Sequence, residues 1–108
     1  MKTVLIVGMG NIGQKLFKEY EKLNPDCYDP YKNFNTKKNI VYDFAFIVVD
    51  TPCKENGECD LSQVREAIQE TDANIIVLRS TVPPTTTEML SKEFNKHIVY
   101  SPEFYGTT

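Results

Sequence analysis

A doubly wound α/β domain built on a parallel sheet is predicted by three features of this 108-residue sequence. Short apolar runs alternate with segments of helical spacing, the pattern of strands joined by crossovers. The first run, Thr3 to Val7, is continuous rather than alternating, as a strand covered on both faces requires. A glycine turn follows it directly and opens a helical stretch. The length suits one domain, residues 1–108, and no repeat or linker-like tract divides it.

The elements follow in order. From Asn11 to Leu23 the apolar positions Ile12, Leu16, Tyr20 and Leu23 recur at helical spacing, and Asn24-Pro25 ends the helix. Cys27 to Asp29 reads as a short second strand, cut off by Pro30. Tyr31 to Tyr42 is rich in Asn and Lys and has no period, so an irregular or single-turn crossover is expected, near the shortest a parallel pair permits. Phe44 to Val49 is the most apolar run and belongs to a central or near-central strand. Asp60 is placed as the N-cap of a helix that turns Leu61, Val64 and Ile68 inward. Ile75 to Leu78 is a fourth strand. Pro83-Pro84 opens a turn, and Thr85 to Phe94 is a helix with Met89, Leu90 and Phe94 inward. Ile98 to Tyr100 is a fifth strand. The sum is about five strands in the order 3-2-1-4-5.

Composition excludes several classes of partner. Hydrophobic residues make up 41% and charged residues 25%, a globular balance, and the net charge is −3. A nucleic-acid partner is not expected, because phosphate backbones reward a clustered positive excess. No apolar run approaches the roughly 20 residues of a membrane span. The run after Met1-Lys2 breaks at Gly8 into polar sequence, unlike a signal peptide. Cys27, Cys53 and Cys59 form an odd set with no metal-type pair. A reduced, cytoplasmic protein without a metal site is expected.

Gly8-Met9-Gly10-Asn11-Ile12-Gly13 is a GxGxxG between a strand and a helix, the setting of a Rossmann-type dinucleotide site. Gly8 permits the tight turn, Gly10 lets the backbone approach a pyrophosphate, and Gly13 lets the helix pack closely on the strand. The helix N-terminus then presents free N–H groups and a positive dipole end. Asp29 ends the second strand 21 positions after Gly8, near the spacing of about 20 for the acid that binds the adenosine ribose. A carboxylate there accepts from ribose hydroxyls and repels a 2′-phosphate. No arginine stands nearby to hold such a phosphate, and Lys32 is the close cation, so NAD is favoured over NADP.

Three further stretches lie at the ends of later strands. They are Val49-Asp50-Thr51-Pro52, Arg79-Ser80-Thr81-Val82-Pro83-Pro84-Thr85-Thr86 and Ser101-Pro102-Glu103-Phe104. With the glycine loop, they make the chain resemble the N-terminal nucleotide-binding domain of the UDP-glucose/GDP-mannose dehydrogenase family, whose corresponding patterns are V-x-T-P, S-T-V-P-P-G-T and N-P-E-F. The resemblance runs from Val4 to Phe104. It implies that Thr51, Pro52 and Ser80 line the NAD groove. It also implies that Thr81 sits near the nicotinamide and positions the catalytic water, and that Glu103 joins an acidic group assisting catalysis.

The complete enzymes of this family oxidise the C6 alcohol of a nucleotide-sugar to a carboxylate, using a cysteine nucleophile in a later G-F-G-G-x-C motif. Nothing like that motif is present, so the chain alone is expected to be inactive and to lack the family's substrate domains. Further departures are Asp50 before Thr51-Pro52, Thr85 in place of a glycine, and Thr107 where a further acid is usual. The lone His97 opens the fifth strand away from the ligand edge. Two readings follow: the NAD-binding domain of a nucleotide-sugar 6-dehydrogenase, or a stand-alone non-catalytic dinucleotide-binding module or subunit. The unpaired edge of the fifth strand leads us to expect a two-fold homodimer, with a folded-back tail and a monomer as the competing outcome.

Overall fold

The computed structural model describes residues 2–52, 54–83 and 85–101. Among them run β1 (Val4–Val7), α1 (Asn11–Glu19), β2 (Asp26–Asp29), β3 (Phe34–Asn35), β4 (Tyr42–Ile47), α2 (Ser62–Gln69), β5 (Ala73–Leu78), α3 (Thr86–Phe94) and β6 (Ile98–Tyr100). All are parallel except β3, which pairs antiparallel with β2 through Tyr28↔Asn35 and Asp29↔Phe34. The sheet order is β3-β2-β1-β4-β5-β6, the expected order carried one strand further. The occupant of the third place differs from expectation, however. It is the two-residue Phe34–Asn35, while the apolar run beginning at Phe44 pairs with β1 on its other side. The physical reason is burial: Ala45 and Ile47 are fully buried against one face and Phe46 is buried on the other, which only a central strand allows.

The hairpin strand explains how a dozen residues link β2 to β4 without a crossover helix. A parallel partner must start at the sheet's amino edge, and β3 carries the chain back there by itself. At that edge the Tyr42 hydroxyl donates to Asp26 Oδ2 at 2.7 Å and accepts the Lys38 amide at 2.8 Å. Burial and the Asp26 carboxylate push the Tyr42 phenol up to about 12, so it donates throughout the neutral range.

Two apolar layers flank the sheet. Leu5, Val7, Ala45, Ile76 and Leu78 meet α2 and α3 through Val64, Ile68 and Leu90, while Val4, Ile6, Cys27 and Phe46 meet α1 through Leu16. Several sequence expectations are corrected in detail. The first helix stops at Glu19, and a 3-10 turn over Glu21–Leu23 takes its last residues, leaving Leu23 36% exposed. Leu61, not Asp60, holds the N-cap place of α2, although Asp60 Oδ1 accepts the Ser62 amide at 3.0 Å, which holds its carboxyl below the usual range. In α3, Leu90 is buried and Phe94 packs against the core, but Met89 faces out at 48% exposure and Thr86 takes an inward place. The Lys96 ammonium caps the C-terminal end of α2, donating to the Ile68 and Thr71 carbonyls at 2.7 Å each. No helix of the described residues is long and apolar enough to cross a membrane.

Candidate functional site

After β1 the chain crosses to α1 on one face, and after β4 it leads to α2 on the other. Where neighbouring strands send their chains to opposite faces, a crevice opens at the carboxyl edge, the position at which open α/β sheets take ligands. Here the crevice is a groove of about 210 Å³, with Gly8 and Gly10 on one side, Val48 and Val49 on another, and Asp29 and Lys32 at its flank.

The three glycines of the turn are required by different things. Gly8 has φ +101°, and a Cβ there would stand 2.9 Å from the Val48 carbonyl carbon and oxygen. A Cβ on Gly13 would stand 1.8 Å from the Gly8 carbonyl oxygen. The protein's own packing therefore demands both. At Gly10 nothing lies within 4 Å of a Cβ position, and the space it leaves open belongs to the groove. Gly10 is also the N-cap of α1, with no capping side chain and no acid in the first turn. The first amides of the helix, from Asn11 and Ile12 onward, thus keep their donors for a ligand. Met9 contributes backbone only: its side chain is buried in the α1 face, and its carbonyl accepts the Gln14 side-chain amide at 2.9 Å.

Asp29 is 7% exposed, and both its oxygens are oriented by backbone amides. Oδ2 accepts the Met9 N–H at 2.7 Å and Oδ1 accepts the Tyr31 N–H at 3.0 Å. The acid therefore braces the glycine turn while each oxygen retains a second lone pair. Lys32 lies in the groove wall, as does Asp50 from the opposite loop.

The loops after β4 and β5 are tied together. The Thr51 hydroxyl donates to the Thr81 carbonyl at 2.8 Å, and the Ser80 hydroxyl donates to the Val49 carbonyl at 2.7 Å. Ser80 is buried in that bond, Thr81 and Pro52 are exposed, and the Pro52 carbonyl accepts the Asp60 amide. Cys53, Pro84, Glu103 and the rest of 102–108 lie outside the described residues. Among the described residues no group of His, Cys, Asp and Glu could hold a metal ion.

Sequence reasoning missed Tyr31, Gln63 and Glu66, which line a second small cavity beside the groove. Nothing in their types marks them; only their place, after β2 and on α2, could have done so.

A family model matches most of the chain. The UDP-glucose/GDP-mannose dehydrogenase family, NAD binding domain, matches residues 31–107. The chain belongs to that family. NAD is the cofactor of such a domain, and the residues fit it: an open approach at Gly10, unopposed helix amides, and an oriented carboxylate at Asp29. The glycine turn and Asp29 precede the matched residues and stand on their own geometry. Among curated relatives, the UDP-N-acetyl-D-mannosamine dehydrogenase of Methanococcus maripaludis is 38% identical over 84 residues, which is 67% of this chain and 20% of that protein. The UDP-glucose 6-dehydrogenase of Rickettsia felis is 41% identical over 69 residues, 55% of this chain and 15% of that protein. The chain spans a fifth or less of the length of these two relatives. A solved UDP-glucose dehydrogenase from Pyrobaculum islandicum shares the fold, with a TM-score of 0.75 at 20% identity, over 96% of this chain and 36% of that one.

Thr85, where the resemblance implies a glycine, has a left-handed backbone at φ +69°. That conformation is costly for a β-branched residue. Thr85→Gly is expected to stabilise the domain by about 0.5–1 kcal/mol, after the entropy glycine loses on folding is counted. Urea denaturation checks this, and an unchanged or lower midpoint contradicts it.

Proposed function

We propose that this chain is a single NAD-binding domain, residues 1–108, serving a nucleotide-sugar 6-dehydrogenase that oxidises the sugar C6 alcohol to a carboxylate. The observation that carries the reading is Gly10. It is the one glycine of the turn that the protein's own packing does not need, and the space it keeps open lies in the groove. In this reading the pyrophosphate lies on Gly10, Asn11 and Ile12, the adenosine ribose on Asp29, and Lys32, Thr51, Pro52 and Ser80 border the cofactor. Thr81 faces the nicotinamide end and Glu103 assists from the substrate end. NAD, when bound, supplies the hydride acceptor. Cys27 is buried in the α1 face and so does not serve as the nucleophile, which belongs to the enzyme's other domains, as does the nucleotide-sugar partner. Among the described residues, Cys27 and Cys59 are free thiols, which agrees with a cytoplasmic setting. In this reading the chain forms a two-fold homodimer through β6, whose Val99 and Tyr100 side chains are exposed among the described residues.

Calorimetric titration tests the cofactor assignment. NAD(H) is expected to bind at least about tenfold more tightly than NADP(H), because Asp29 would face a 2′-phosphate with like charge. Equal or tighter binding of NADP(H) contradicts the role of Asp29. The stand-alone module is the alternative, and it predicts the same binding without a catalytic partner.

A further inference from the structure

We propose that Tyr31 is a gate on the base end of this groove, latched shut by Glu66 and converted into a stacking platform when an adenine enters. The inference rests on the dinucleotide reading, since the base is the group attached beyond the ribose at Asp29.

Past Asp29 lies a small, half-open cavity of about 20 Å³, lined by Tyr28, Pro30, Tyr31, Val49, Glu66 and Ala67. That is room for about one water and not for a base. Its lining is mostly apolar, with Asp29, Gln63 and Glu66 as its polar side chains beside the Tyr31 hydroxyl, which suits a flat aromatic ring with polar edges. Asp29, Tyr31, Val49 and Gln63 belong both to this cavity and to the 210 Å³ groove, so Tyr31 stands at the junction of the two. The Tyr31 hydroxyl donates to Glu66 Oε2 at 3.2 Å, bridging from the loop after β2 to α2. The Glu66 carboxylate, through this bond and its charge, raises the Tyr31 phenol above its ordinary value, and the donor persists at neutral pH.

The latch is weak by construction. The ring is 65% exposed, and an exposed hydrogen bond contributes little over the bonds water offers. Tyr31 is held firmly only at its backbone, where its amide donates to Asp29 Oδ1 at 3.0 Å. The ring can therefore leave Glu66 while its Cα stays beside the ribose-binding acid. Releasing it widens the cavity where it meets the groove and lets a π-face turn to the base. The side chain thus acts with opposite sign in the two states: its hydroxyl opposes entry, and its ring holds what has entered.

The test uses ADP-ribose, which carries the adenosine and pyrophosphate without the nicotinamide. It is titrated by calorimetry into the whole chain and three variants. Tyr31→Phe keeps the ring and removes the latch, and is expected to bind about twofold to fivefold more tightly. Glu66→Ala removes the other half of the latch and is expected to do the same. Tyr31→Ala removes the platform as well and is expected to bind roughly tenfold more weakly. Tight binding by all three variants overturns the proposal, because the ring then only obstructs. Binding by the unsubstituted chain with Tyr31→Phe no tighter overturns the gate alone. Failure of the unsubstituted chain to bind ADP-ribose overturns the nucleotide reading and the gate with it.

Discussion

Gly13→Ala is expected to destabilise the domain by about 3 kcal/mol, a large share of the roughly 5–15 kcal/mol that holds a domain of this kind together. The added Cβ would stand 1.8 Å from the Gly8 carbonyl oxygen and 2.8 Å from its carbonyl carbon. Both are backbone atoms, so no rotamer change relieves the clash. Gly8 is itself pressed close to the Val48 backbone, where an added Cβ would stand 2.9 Å away, and its amide donates to the Tyr28 carbonyl, so it has little room to retreat. The strain must be taken by lifting α1 off the sheet, which opens the contacts of Leu16 with Val4, Ile6 and Phe46. Thermal unfolding should fall by roughly 15 °C for a chain of this length. A shift corresponding to less than about 0.5 kcal/mol would show that α1 does not dock on the glycine turn as described.

Gly10→Val is expected to leave the fold nearly intact and remove cofactor binding. Nothing lies within 4 Å of the new Cβ, and Gly10 sits at φ −73°, ψ −160°, which any residue adopts. A poorer N-cap costs no more than about 1 kcal/mol. The branched side chain fills the space through which a pyrophosphate reaches the helix amides, and NAD(H) affinity should drop by at least about a hundredfold. Calorimetry on the folded variant reads this directly. Affinity within about threefold of the unsubstituted chain contradicts the placement of the phosphates. Three positions apart in one motif, the two substitutions separate what the fold needs from what the ligand needs.

That much of the site is legible in the spacing of the motif itself. The continuous run of β1, the GxGxxG after it and the acid at the end of β2 are local signals, each tied to one physical demand. What sequence could not show was long-range. Asp29 is read from spacing as a ribose ligand, yet its bond to the Met9 amide, 20 positions away, is visible only once β1 and β2 are paired. Phe34–Asn35 carries no apolar pattern, because an edge strand of two exposed residues has no core to face. Met89 misled because helical spacing identifies a face but not its width. Tyr31 and Glu66 are 35 positions apart, and neither type suggests the other.

The two-residue strand β3 has a consequence for motion. Beyond its ladder with β2, this flank is fastened by polar bonds: the Thr36 amide donates to the Cys27 carbonyl at 2.8 Å, the Thr36 hydroxyl accepts the Cys27 amide at 2.9 Å, and Lys37 and Lys38 reach the Glu70 carbonyl and the Asp26 carboxylate. The sheet centre, by contrast, is bonded along the six-residue strands β4 and β5 and packed on both faces. Proteins open first where buried apolar contact is least, so this flank is expected to open at a lower cost than global unfolding. Asp29 and Tyr31 ride on it. On the proposed placement of the adenosine ribose at Asp29, opening of this short hairpin would lower the cofactor affinity by the fraction of molecules left open. A ligand that selects the closed hairpin also stiffens it. Because Asp29 is bonded to the Met9 amide, such stiffening would reach the glycine turn, where the proposed seat for the phosphates lies.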